Sequence, residues 1–125
     1  MKTPASIALG TFALVCMVAS AALAQTAPPT YQGDPSVYKV IFEDQNFRVI
    51  EAIRKKGVHD KPHSHPVPSV IYNVTDCNSR LYAADGKTVD RATKADTAEA
   101  VPVIASHSAE NIGTEDCKQI FVEHK

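Results

Sequence analysis

From Val37 onward the chain is a succession of short β-type runs with polar breaks between them: VYKVIFE (37–43), FRVIEAIR (47–54), VIYNV (70–74), SRLYAA (79–84), KTVD (87–90), AVPVIA (100–105) and KQIFVE (118–123). The runs are rich in Val, Ile, Phe and Tyr, and none carries the three-and-four spacing of an amphipathic helix. The breaks have turn chemistry: Asp44 to Asn46, Lys55 to Gly57, Thr75 to Asn78, Asp85-Gly86 and Ile112 to Asp116. Asp85-Gly86 predicts a two-residue hairpin, because a type I′ turn needs positive φ at both central positions. Only the alanine-rich stretch from Arg91 to Ala100 offers a helical turn. Strands this short and this evenly spaced predict an all-β sandwich or barrel, with no internal repeat and no second domain.

Upstream of Val37 the pattern changes twice. Residues 25–36, QTAPPTYQGDPS, have no periodicity and read as a flexible lead-in to a domain spanning 37–125. Before them, Lys2 precedes an apolar run from Ile7 to Leu23, and Ala22-Leu23-Ala24 has the small-x-small form of a cleavage site. Residues 1–24 are therefore expected to be a signal peptide, and the mature protein, starting at Gln25, to be periplasmic or secreted. An uncleaved anchor is the alternative, since the run is nearly long enough to span a bilayer. The alanines and the cleavage site favour removal. Cys16 does not make a lipobox, with Val15 before it and Ala13 in place of Leu, and no Arg-Arg pair points to the twin-arginine route.

Charge excludes some partners. The formal net charge of -1 becomes -2 once Lys2 is removed, with no basic run, so neither nucleic acid nor an anionic membrane surface is expected as a partner. Cysteine arithmetic adds a constraint: Cys16 leaves with the signal, and Cys77 and Cys117 remain as an even pair in an oxidising compartment, where a disulfide is the natural reading. Such a bond closes a loop of about 40 residues, which the chain-entropy estimate values at roughly 4 kcal/mol. The competing reading, a thiolate metal pair, lacks the Cys-x-x-Cys spacing.

The chemistry concentrates in GVHDKPHSHPVPS, Gly57 to Ser69. His63 and His65 are two apart, so on a strand both imidazoles share a face and can take two cis positions on one metal ion. Pro62 and Pro66 flank them and stiffen the backbone. The phrase reads G-x5-H-x-H, and further on PVIASHSAEN places Pro102 five residues before His107 and Asn111 four after it. Together these resemble the two cupin motifs, G-x5-H-x-H-x3,4-E-x6-G and G-x5-P-x-G-x2-H-x3-N. Gly57, His63, His65, Pro102, His107 and Asn111 match; Ser69 or Val70 stands where the first motif has Glu, and Asp96 and Ile104 where the second has Gly. Asp suits a left-handed turn position better than most residues. The resemblance covers about Val37 to Glu123, including FRVIEAIRKKG and NIGTED, and is to small single-domain cupins.

The resemblance implies a cupin-type β-barrel or jelly roll, and it maps His63, His65 and His107 onto the three metal-ligand histidines with the carboxylate ligand missing. Three neutral imidazoles leave the full charge on a divalent metal, favouring anionic ligands and lowering the pKa of a bound water. Ser69 shares strand parity with the histidines and is placed to hydrogen-bond a metal-bound water; Glu51, Tyr72 and Tyr82 lie on predicted strands and are further candidates for the barrel lining, with ordinary barrel packing or a wet outer face as the alternative for each. For the three histidines the alternative is a barrel that has lost its metal, whereas His59 and His124 read as surface or capping residues. Export points to zinc or copper by the affinity order, with iron(II) open. The functional readings are a metal-dependent enzyme, of dioxygenase or isomerase/lyase type, on a small anionic organic substrate, or a non-catalytic module that binds a small ligand or the metal. No catalytic acid or base is identifiable, and a homodimer is compatible with the sequence.

Overall fold

The computed structural model describes residues 25–125; the expected signal peptide, 1–24, lies outside the described residues. Among the described residues nine strands follow one short helix: α1 (Thr30–Gly33), β1 (Tyr38–Glu43), β2 (Phe47–Arg54), β3 (His63–His65), β4 (Ser69–Asn73), β5 (Cys77–Ala83), β6 (Thr88–Thr93), β7 (Thr97–Val101), β8 (Ile104–Asn111) and β9 (Cys117–His124). They form two antiparallel sheets, β1-β2-β9-β4-β7 and β3-β8-β5-β6. From β3 on, the chain passes repeatedly from one sheet to the other, the double-sheet weave of a jelly roll. The all-β barrel expected from the strand pattern is the fold observed.

Period-two alternation decides what faces in. On β2, Ile50, Ala52 and Arg54 are buried, and on β9, Cys117, Gln119, Phe121 and Glu123. The apolar core between the sheets is small: Val37, Tyr38, Ile50, Ala52 and Phe121. Among the described residues fourteen polar or charged ones are buried against nine apolar ones, so much of the interior is polar rather than hydrophobic packing. Cys77 and Cys117 are disulfide-bonded, with Cα atoms 5.1 Å apart, and tie β5 of one sheet to β9 of the other.

Four local expectations are corrected. Residues 25–36 read as a flexible lead-in, yet part of the segment forms α1 and packs. Thr30 and Asp34 are buried, and Gly33 lies so close to β3 that a Cβ there would sit 3.4 Å from that of His63. Asp34 accepts hydrogen bonds from the amides of Ser36 and Lys61, which fixes the segment against the loop before β3. The alanine-rich stretch 91–100 is not helical but runs through β6 and β7, because pairing with β5 and β4 outweighs alanine's helix propensity. AVPVIA is two strands, broken at Pro102-Val103. Asp85-Gly86 does make the β5–β6 hairpin, but only Gly86 has positive φ (84°), and Gly86 N donates to Ala83 O, so the turn is not type I′.

Candidate metal centre

β3 and β8 build the site. His63 is register-paired with His107, and a bulge between His63 and His65 re-aims the second histidine, which then lies opposite Ile104. The three rings meet edge to face, with centroids 4.6 Å (His63–His107), 4.9 Å (His65–His107) and 5.4 Å (His63–His65) apart. Their ligand nitrogens all lie within 4.8 Å of one another, so the three histidines that the motifs single out are brought together and could hold a metal ion. Asp96, in the place of a motif glycine, does take the left-handed region (φ 60°).

The hydrogen bonds orient the rings. His63 Nδ1 lies 2.9 Å from the carbonyl of Lys61, which can only accept, so the ring carries its proton on Nδ1 and keeps the Nε2 lone pair free. Tyr38 OH is 3.4 Å from that Nε2, but its proton goes to Asp60 at 2.7 Å. His65 and His107 face each other through Nε2 atoms 2.9 Å apart. Two lone pairs at that distance need a proton or a cation between them. Nitrogens bound at about 2.0–2.1 Å to one ion in cis positions fall at about this separation, so the donor set fits a divalent metal. Burial holds the rings neutral, the form that ligates. His65 is pushed down to about 3 and His107 to about 4, first by desolvation and then by the neighbouring imidazoles, while His63 is lowered by desolvation against the pull of Asp60.

Behind His63 lies a buried network that the sequence reading did not anticipate. Asp60 accepts from Tyr38 OH, from Arg54 Nε (3.0 Å) and Nη2 (2.8 Å), and from the amide of Ala109 (2.7 Å); Arg54 Nη2 also donates to Tyr38 OH. All three side chains are almost fully buried. Tyr38 and Arg54, with the three histidines, line a cavity of about 130 Å³ whose other walls include Leu81, Ile104, Phe121 and the Arg91–Glu99 ion pair. One signal for Arg54 was available: it shares inward parity with Ile50 and Ala52, and a charge on a buried face marks a site.

The other candidates fall differently. Ser69 points inward and is buried, although β3 and β4 belong to different sheets. Glu51 and Tyr72 do not line the cavity. They stand in one outward row with Ile120 between them, Glu51 paired with Lys118 at 2.9 Å and Tyr72 donating to Asp96. His59 is an exposed residue outside the cavity, stacked on Tyr82 and hydrogen-bonded to Ser108.

The sequence matches no protein-family model and no curated protein. Solved structures are similar at low identity. A cupin domain from Bordetella pertussis is 18% identical with a TM-score of 0.66, over 78% of this chain and 96% of that one. An RmlC-like cupin with a double-stranded β-helix fold from Methanocaldococcus jannaschii is 12% identical with a TM-score of 0.57, over 70% and 78%. The Cnp3 cupin domain of Schizosaccharomyces pombe is 14% identical with a TM-score of 0.54, over 70% and 63%. The fold of this chain is that of the cupin domains, with a three-histidine cluster inside its barrel.

Proposed function

We propose that the protein binds one divalent metal ion on His63, His65 and His107 and presents it to a small anionic molecule in the barrel cavity. The observation that carries this reading is the convergence of three imidazoles, two buried and one half-buried, with two Nε2 atoms 2.9 Å apart. A bound metal would supply Lewis acidity or an oxygen-binding centre. The chain's own residues hold the ligands: the Lys61 carbonyl fixes the tautomer of His63, and Asp60, occupied by four donors, keeps Arg54 and Tyr38 in place beside it. With no carboxylate among the clustered ligands, the metal's charge stays uncompensated and favours an anion. Export, for which the Cys77–Cys117 disulfide speaks, would place the protein in the periplasm or outside the cell and favour zinc or copper; controlled loading would admit iron(II).

A second reading, a non-catalytic module for a small ligand or the metal itself, draws on one feature. Asp60, behind His63, and Glu99, on the cavity wall, are already committed, to Arg54 and Tyr38 and to Arg91, so neither is poised to move a proton. Elemental analysis of protein isolated from its own compartment, beside a His63→Ala/His65→Ala variant, tests the metal. Stoichiometric metal in the parent only is expected. Substoichiometric metal in both, with no uptake of added zinc, copper or iron(II), would sink the reading. Oxygen uptake and a screen of small carboxylates on the loaded protein then separate enzyme from binder.

A further inference from the structure

Among the described residues, five buried side-chain polar atoms have no hydrogen-bond partner: Thr30 Oγ1, Arg48 Nε, His65 Nδ1, Ser69 Oγ and Glu123 Oε1. They are not scattered. Arg48, Glu123 and Ser69 form one row across β2, β9 and β4, because Glu123 is register-paired with both of the others. The α1 segment closes the same end: Tyr31, next to Thr30, lies under the Arg48 guanidinium at 4.6 Å, and Pro29 is bridged to Ser64, the neighbour of His65. Phe121, two residues before Glu123 on the same inward face of β9, stacks on the His65 ring at 5.4 Å.

A buried polar atom left without a partner is costly, so the three in this row, with those of Thr30 and His65 on the segments packed beside it, require an occupant. The mixture of atoms identifies it. Arg48 Nε can only donate, which repels a cation; Glu123 Oε1 accepts, which repels an anion; the Thr30 and Ser69 hydroxyls can do either. Water both donates and accepts. Arg48 Nη1 already holds the other oxygen of Glu123 at 3.1 Å, so the carboxylate is anchored with Oε1 left over. Of the two residues that stand at the cupin motif's glutamate, Ser69 is the buried one and Val70 is exposed, and the register partner of Ser69 on β9 is this carboxylate.

We propose that Glu123 is a positioning residue for His65, linked through Ser69 and bound water to the His65 Nδ1–H. The relay fixes His65 as the Nδ1–H tautomer and turns its Nε2 lone pair toward His107, as second-sphere carboxylates do for ligating histidines. It works on the ring whether or not metal is bound, so it stands apart from the metal reading, on which only its effect on affinity rests. The carboxylate absent at position 69 is thereby supplied from β9 to the ligand rather than to the ion.

The test is long-range ¹H–¹⁵N spectroscopy of the histidine rings in the purified metal-free protein, for the parent, Ser69→Ala, Ser69→Thr and Glu123→Gln. In the parent, His65 is expected as the Nδ1–H form and His107 as the Nε2–H form. Ser69→Ala and Glu123→Gln should shift or mix the His65 tautomers while His63, held by the Lys61 carbonyl, stays put; Ser69→Thr, which restores the hydroxyl, should return the parent pattern. In a zinc titration the two disrupted variants should bind about 10–100-fold more weakly than the parent. An unchanged His65 pattern in both disrupted variants overturns the proposal. Unfolding of both overturns it too, since the row would then be a requirement of the fold; if one unfolds, the other decides. A parent that takes up no zinc defeats the metal reading alone, and the ring spectra still decide the role of Glu123.

Discussion

At the scale of single residues, the group most sensitive to change is Asp60. Its side chain is fully buried, one oxygen takes Tyr38 and both contacts from Arg54, and the other takes the Ala109 amide. Removing it leaves the Arg54 guanidinium buried without its counter-ion. Asp60→Ala should therefore lose about 3–5 kcal/mol in urea unfolding. Tyr38→Phe, which takes away one donor to Asp60 and one acceptor from Arg54, should lose about 1–3 kcal/mol. A loss below 1 kcal/mol for Asp60→Ala would mean that water reaches the network. The same residues show the reach of the sequence. His63, His65 and His107 were legible because fixed spacing around glycine and proline singles them out. Asp60 was not, because beside Lys61 and Pro62 it looks like one more polar loop residue. Whether Glu51 and Tyr72 line the barrel or face out was not legible, because β2 and β4 carry apolar residues on both faces: Val49, Val122 and Val70 make an outward row, so polarity does not tell in from out.

At the scale of elements, β6 and β7 carry the clearest contest between local preference and pairing. Alanine-rich sequence favours a helix, but β6 is held to β5 and β7 to β4 along their lengths, with the reversal at Asp96 in the left-handed region. The motif comparison pointed to that turn, since a glycine position is one that asks for positive φ. Asp96 adds contacts glycine lacks, accepting from Tyr72 OH at 2.8 Å. Asp96→Gly should stay folded with a change of well under 2 kcal/mol, the relieved backbone offsetting the lost hydrogen bond. Asp96→Val, β-branched where φ is 60°, should lose about 1–3 kcal/mol and loosen the β6–β7 turn, read by thermal unfolding and amide exchange across residues 94–97. Equal stability of the two variants would show that the turn relaxes freely. What the strand pattern could not reveal was β3. Three residues are too few for periodicity, and all three are buried, so HSH pairs with β8 with no alternation to announce it.

For the molecule as a whole, the polar interior ties stability to pH. In the folded chain His65 is held down to about 3, His107 to about 4, and His63 is lowered as well, all from 6.5. In the unfolded chain these rings protonate near 6.5, so between about pH 6.5 and 4 the unfolded state binds more protons and stability falls with pH. Each such ring contributes a slope of up to about 1.4 kcal/mol per pH unit. Glu123 works the other way, since burial raises its pKa above 4.5 against the pull of Arg48, but it is one group against three. The disulfide limits the loss by closing a loop spanning 40 positions, a constraint of roughly 4 kcal/mol that does not titrate. Unfolding in urea with a chelator present, from pH 7.5 down to 4.5, should therefore show full stability above about 6.5 and a steady fall below it. His65→Ala/His107→Ala, compared as a change with pH rather than in absolute stability, should flatten that fall. A parent midpoint that stays level or rises on acidification would mean that the rings are charged in the folded protein, and three charged imidazoles could not converge on one point.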